Sequence, residues 1–292
     1  MRQQPFGQTF KVRLSFSGAW FSLGPGWAAA AGLLATGGLS LSPATWLQLV
    51  GLWVLVDPLL GTLWDVAVNQ EVWRRATQAK LPAPPSRGFS LPYAQPGSLA
   101  GRLVLRLRRY QRWWQDSYWP AYSSELMTFG LGLLMALLIA LLLGGWLVGL
   151  TLLAVGLMLK AGAAPPDLTG SSGGRWQALV QGLLPWLMGL ILGGGPTLLT
   201  GAIAICYSLV YLGLLRTLGE HPRATWLFWG GQLAAGLLLL GLRLLPVAVV
   251  LAGLLIGQRL LKNHFPAAWL SKVQPYLLSG LLLTAWAVGY LL

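Results

Sequence analysis

Nine apolar runs of membrane-spanning length follow one another with almost no charge inside them, at about 19–40, 44–65, 126–144, 146–161, 176–194, 197–215, 225–242, 246–260 and 275–292. A helix needs about 20 mostly apolar residues to cross a bilayer, so the runs predict an all-α integral membrane protein. The shorter runs at 146–161 and 246–260 are set off from their neighbours only by Gly144–Gly145 and by the stretch from Arg243 to Pro246. Each is therefore read as one arm of a helical hairpin. Only 9% of the chain is charged, and no stretch outside the runs is suited to a second globular domain, so residues 1–292 are expected to form one transmembrane domain.

The cations fix an expected topology. With the N-terminus in the cytoplasm, 19 of the 20 Lys+Arg fall in the N-terminal segment or in cytoplasmic connections, leaving only Arg243 on the other side. Cytoplasmic loops carry an excess of lysine and arginine, so this partition predicts a multi-pass protein of the bacterial inner (cytoplasmic) membrane, N-in and C-out. The net charge of +13 follows from the same rule and does not point to nucleic acid. No cleavable signal is evident in the first run, which is read as a retained span. The lone Cys206 allows no internal disulfide.

The long connection at 66–125 has internal order. Residues 81–98 are rich in proline, glycine and serine and read as irregular. Residues 101–119 place Leu103, Leu107, Tyr110 and Trp114 at helical spacing against Arg102, Arg106, Arg109 and Arg112, with Trp113 at the edge. That pattern predicts a basic amphipathic helix lying in the headgroup region as a surface anchor. Residues 1–16 are a shorter segment of the same kind.

Candidate chemistry is sparse. The two histidines, His221 and His264, fall outside the apolar runs, which disfavours ligation of haem or chlorophyll within the bilayer. No phosphate-binding loop, nucleophile elbow or zinc motif occurs. Asp57 is the only acid well inside a run, where a carboxylate costs about 2.5–3.5 kcal/mol on insertion scales. It should face protein, water or a cation. Asp57, Gly61, Asp65 and Asn69 recur every fourth residue and share one helix face. Glu71 and Arg74 follow them, and Arg216, Glu220, His221 and Arg223 occupy the connection after the sixth run. If the bundle brings these connections together, carboxylates suited to Mg²⁺ and arginines suited to diphosphate would face each other at one mouth. The same acids also suit helix-end caps paired with nearby arginines.

In layout the chain resembles the UbiA-type membrane prenyltransferases: nine helices, N-terminus inside, a long basic connection after helix two and a polar one after helix six. The family's first signature, N-D-x-x-D-x-x-x-D, laid on Asp65 reads Trp64, Asp65, Val68 and Val72. Its second, D-x-x-x-D, finds Arg216 and Glu220. The resemblance implies a UbiA-like bundle around a lipidic cavity, with most of the metal-binding acids missing. The function it implies is a degenerate, non-catalytic homologue: a subunit or assembly factor of a membrane complex, holding an isoprenoid lipid, quinone or pigment tail. Two alternatives stay open. One is an active Mg²⁺-dependent prenyltransferase moving an isoprenoid chain to an aromatic or tetrapyrrole acceptor, with Asp65 and Glu220 on the metal. The other is a small-molecule transporter built on Asp57. Membrane lipids are expected partners in every case.

Overall fold

A computed structural model describes residues 24–38, 42–69, 98–163, 174–218, 224–265 and 268–291. The expected amphipathic segment at 1–16, the irregular stretch at 81–97, and Glu71, Arg74, Glu220, His221 and Arg223 lie outside the described residues. Every regular element among the described residues is helical. The helices are α1 (Pro25–Leu34), α2 (Pro43–Val68), α3 (Leu99–Leu143), α4 (Gly145–Ala163), α5 (174–192), α6 (Leu198–Leu218), α7 (Ala224–Gly241), α8 (Leu245–His264) and α9 (Trp269–Leu291). Each falls on one of the nine apolar runs. Six of them, α2, α3, α4, α6, α7 and α8, are long and apolar enough to cross a membrane.

Their outer surface supports the membrane reading. Leu134, Leu138 and Leu142 of α3 and Leu233, Leu237 and Leu240 of α7 point outward as continuous apolar stripes. Soluble monomers rarely expose such patches.

Short turns set the order of the bundle. Gly144 joins α3 to α4 with φ of 148°, a conformation that only glycine adopts readily. Residues 193–197 join α5 to α6, and 242–244 join α7 to α8. These turns lie at one end, the turn end. The opposite, charged end carries Lys160, Arg175, Arg216, Lys262 and Lys272. Three of those cations sit on aromatic rings: Lys160 over Trp176 at 4.9 Å, Lys262 over Trp269 at 5.3 Å and Lys272 over Phe265 at 3.4 Å. The contacts tie α4 to α5 and α8 to α9.

Small residues let the backbones close up, as lipid-embedded helices require. A side chain at Gly32 of α1 would collide with the Trp186 carbonyl of α5, and one at Gly189 of α5 with the Ala29 carbonyl of α1. Gly213 of α6 meets the Phe228 backbone of α7, and Gly231 of α7 meets that of Cys206 in α6, so this pair runs antiparallel.

Two cores result. Leu55, Leu63, Phe129, Ala136, Ala154 and Met158 fill the first, among α2, α3 and α4. Val210, Phe228, Leu239, Leu251, Leu277 and Leu281 fill the second, among α6 to α9. Helix α5 walls both: Val180, Leu184 and Met188 face the first, while Trp186 and Leu190 face the second.

Helix α2 runs past the apolar run through a π-turn at Asp65–Asn69, in keeping with the four-residue spacing from Asp57 to Asn69. One boundary differs from expectation. The basic helix expected at 101–119 begins at Leu99 and does not end before the span. It passes through a π-turn at Trp114–Tyr118 into Trp119–Leu143, one rod of 45 residues. Pro120 stands at the start of a helical turn, directly after the π-turn, where its missing N–H costs little.

Candidate functional site

Asp57 sits in a π-turn, Leu55–Leu59, that also contains Pro58. Proline cannot donate to the carbonyl one turn back and its ring crowds that carbonyl, so the wider π-turn relieves the conflict. The Thr62 hydroxyl donates to the Pro58 carbonyl at 2.6 Å, which holds the distorted turn together. A second π-turn, Leu179–Leu183, interrupts α5 and contains Gln181 and Gly182. A π-turn advances less per residue than an α-turn, so Gln181 and Trp186, five apart, both line one cleft.

The two π-turns lie at similar depth. Asp57 is 14 residues past Pro43, Tyr211 is 13 past Leu198, and Gln181 is 11 before Leu192. Each is therefore about 17–21 Å from the turn end of its helix. Asp57 of α2 is half-buried, and its charge reaches the Tyr211 hydroxyl of α6. Tyr211 donates to Gln181 Oε1 at 2.9 Å, and Gln177 Nε2 donates to the same oxygen at 2.9 Å. Asp57 is not isolated: it makes at least one further interaction.

Beside Tyr211 and Gln181 lies a partly open cleft among α1, α5, α6 and α9, lined by Ala28, Gln181, Trp186, Tyr207, Tyr211 and Leu281 among others. Its cavity volume is about 20 Å³. That is room for about one water with the helices as they stand. Tyr207 stacks on Trp186 with centroids 6.0 Å apart and planes 14° apart. The Thr284 hydroxyl donates to the Gly280 carbonyl at 2.7 Å, so in the 2.9 Å contact between Tyr207 and Thr284 the phenol is the donor. Ser208 Oγ donates to the Ala204 carbonyl at 2.7 Å and keeps its lone pairs. The buried Trp186 Nε1–H has no hydrogen-bond partner among the described residues. The cleft thus offers one nearby carboxylate, neutral donors and hydroxyl acceptors.

The charged-end mouth is described only in part. Asp65 is half-buried near the end of α2 and is engaged in an interaction of its own. Asn69 ends the second π-turn of α2, its side chain outside the described residues. Arg216 is half-buried in the last turn of α6, with no hydrogen bond at Nε. Whether Asp65 and Glu220 share a metal, as the resemblance implies, lies outside the described residues. Arg102, Arg106, Arg109, Arg112, Trp113 and Trp114 lie on the basic half of α3, away from the cleft.

Sequence reasoning singled out Asp57 and missed its neighbours. Their signal was present as polar residues in apolar helices: Gln177 and Gln181 four apart, and Tyr207, Ser208 and Tyr211 at positions i, i+1 and i+4. No family model, curated protein or solved structure matches the chain.

Proposed function

We propose that this chain is a non-catalytic, UbiA-like membrane protein that holds the polar head and first part of the tail of an isoprenoid lipid, quinone or pigment, serving as a subunit or assembly factor of a membrane complex. The observation that carries this reading is the cleft among α1, α5, α6 and α9, lined by Gln181, Tyr207, Ser208 and the hydrogen-bonded Tyr211, with the Asp57 carboxylate of α2 within Coulombic range of Tyr211. A carboxylate with neutral amide and hydroxyl groups suits a hydroxyl- or carbonyl-bearing head. Neutralising a diphosphate asks for more acids or metal-bound charge than this cleft supplies. The cleft opens outward, and a ligand larger than water would widen it.

The test is to purify the full chain in mild detergent, extract bound lipids and identify them by mass spectrometry. About one isoprenoid-type lipid per chain is expected, or a co-purifying subunit at fixed ratio. A lone, monodisperse protein with neither contradicts the reading.

The two π-turns favour a second reading, because interrupted helices around a mid-depth carboxylate also suit a transporter. Counterflow in proteoliposomes that is lost in Asp57→Asn would support it. Catalysis is tested separately. Turnover of a prenyl diphosphate with Mg²⁺ and an aromatic acceptor, abolished in Asp65→Ala, would replace both readings with an active prenyltransferase of N-in topology.

A further inference from the structure

The N-terminal half of α3 has a face that no described helix covers. From Leu99 to Trp113 it shares extended packing only with the π-turn that follows it. Leu99, Leu103, Leu107, Tyr110 and Trp114 are all exposed, Leu107 by 63%. At 100° per residue they fall on a single stripe. Arg106, Arg102 and Arg109 stand together along one side of that stripe, about 60°, 100° and 120° from its midline, while Arg108 and Arg112 lie on the opposite face. No acidic side chain occurs from Leu99 to Gln115. A water-facing helix would not carry a leucine stripe of this length beside arginines.

The junction with the span says where the stripe sits. Trp113 and Trp114 stack on Tyr118 at 4.7 and 5.0 Å, and Tyr118 meets Tyr122 at 5.0 Å. Tryptophan and tyrosine collect at the membrane–water boundary, so this cluster marks headgroup level. The apolar segment from there to Leu143 is long enough to cross the hydrocarbon. The basic half therefore starts at headgroup level, and its 15 residues extend about 22 Å from it. The π-turn between the two halves is a site at which helices bend.

We propose that this half of α3 is a docking surface for an anionic lipid leaflet. Leucine and aromatic side chains enter the headgroup–acyl boundary while Arg102, Arg106 and Arg109, along one side of the stripe, hold lipid phosphates. Charge complementarity decides the occupant: cations without acids, interleaved with apolar side chains, fit an anionic bilayer. A protein partner would have to supply both an acidic and an apolar ridge in the same register.

The inference is independent of the cleft and is tested without reference to it. The full chain carrying Leu107→Cys, with Cys206→Ala, is labelled with a polarity-sensitive dye. It is placed in nanodiscs of phosphatidylcholine alone, or with added phosphatidylglycerol. In the anionic discs the emission should shift to the blue and aqueous quenching should fall several-fold, and high salt should reverse both. The triple variant R102Q/R106Q/R109Q should lose the difference. Equal exposure in both discs, or equal protection in both, would overturn the proposal. So would equal protection by inorganic phosphate or by an oligonucleotide in neutral discs, which would assign a soluble-anion site. If Cys206→Ala does not fold, the ratio of anionic to neutral lipid co-purifying with the wild-type and triple-variant chains decides. Enrichment in the wild type alone supports docking, and equal ratios contradict it.

Discussion

Two polar clusters lie among the membrane helices, one buried and one half-buried, and they are built on opposite plans. Between α7 and α8, Gln232 and Gln258 exchange amide hydrogen bonds at 3.1 and 2.9 Å, and Trp269 Nε1 donates to the Gln258 carbonyl at 3.2 Å. All three residues are buried. The amides satisfy each other, so nothing further can bind there, and the cluster acts as a clamp among α7, α8 and α9. At the seam of α1, α5, α6 and α9, by contrast, polar side chains line a cleft, the Asp57 carboxylate of α2 stands within Coulombic range of Tyr211, and the buried Trp186 N–H has no partner among the described residues. A satisfied polar group in a membrane helix reports on packing. Polar side chains that line free space, next to an indole N–H unpartnered among the described residues, point to a ligand.

The largest expected effect that would sharpen this contrast comes from Asp57→Leu. Removing a mid-depth carboxylate relieves an insertion cost of about 2.5–3.5 kcal/mol, so the variant should fold as well as the wild type or better. Its retained ligand should nevertheless be lost. Thermal unfolding in detergent, run beside lipid extraction, measures both. Gln258→Leu should do the reverse: stability falls by about 1–2 kcal/mol because the Gln232 amide is orphaned, and ligand retention is unchanged.

A double-mutant cycle on Gln232 and Gln258, each to Leu, should return a coupling near 0.6 kcal/mol and no more than about 1.7 kcal/mol, as for other hydrogen bonds between membrane helices. Zero coupling would undo the description of this cluster as a closed pair. Smaller still is Tyr211→Phe, which frees one acceptor position on Gln181 while Gln177 still donates to it. Stability should change by less than about 1 kcal/mol while ligand retention weakens measurably. A variant that retains ligand as well as the wild type would remove Tyr211 from the site.

Much of the fold was legible in the sequence because hydrocarbon permits so few solutions. Apolar runs punctuated by Gly144, by 193–197 and by 242–244 could only be helical hairpins, and each carries a helix. What failed was local. The basic stretch and the apolar run after it differ so sharply in composition that they read as two elements, whereas the π-turn at Trp114–Tyr118 joins them in one continuous helix. Asp57 stood out because a carboxylate is rare at that depth. Its companions did not: Gln181 and Tyr211 lie 124 and 154 positions further along, and only packing through α5 sets them at one level. The two π-turns had a single hint, Pro58.

The account rests on the seam being a ligand site and the Gln232–Gln258 pair being a clamp. Mass-spectrometric lipid stoichiometry on wild type, Asp57→Asn and Gln258→Leu, purified side by side, tests that directly. The prediction is about one isoprenoid-type lipid per chain in the wild type and in Gln258→Leu, and none in Asp57→Asn. Equal retention in all three, or none in the wild type, would contradict it.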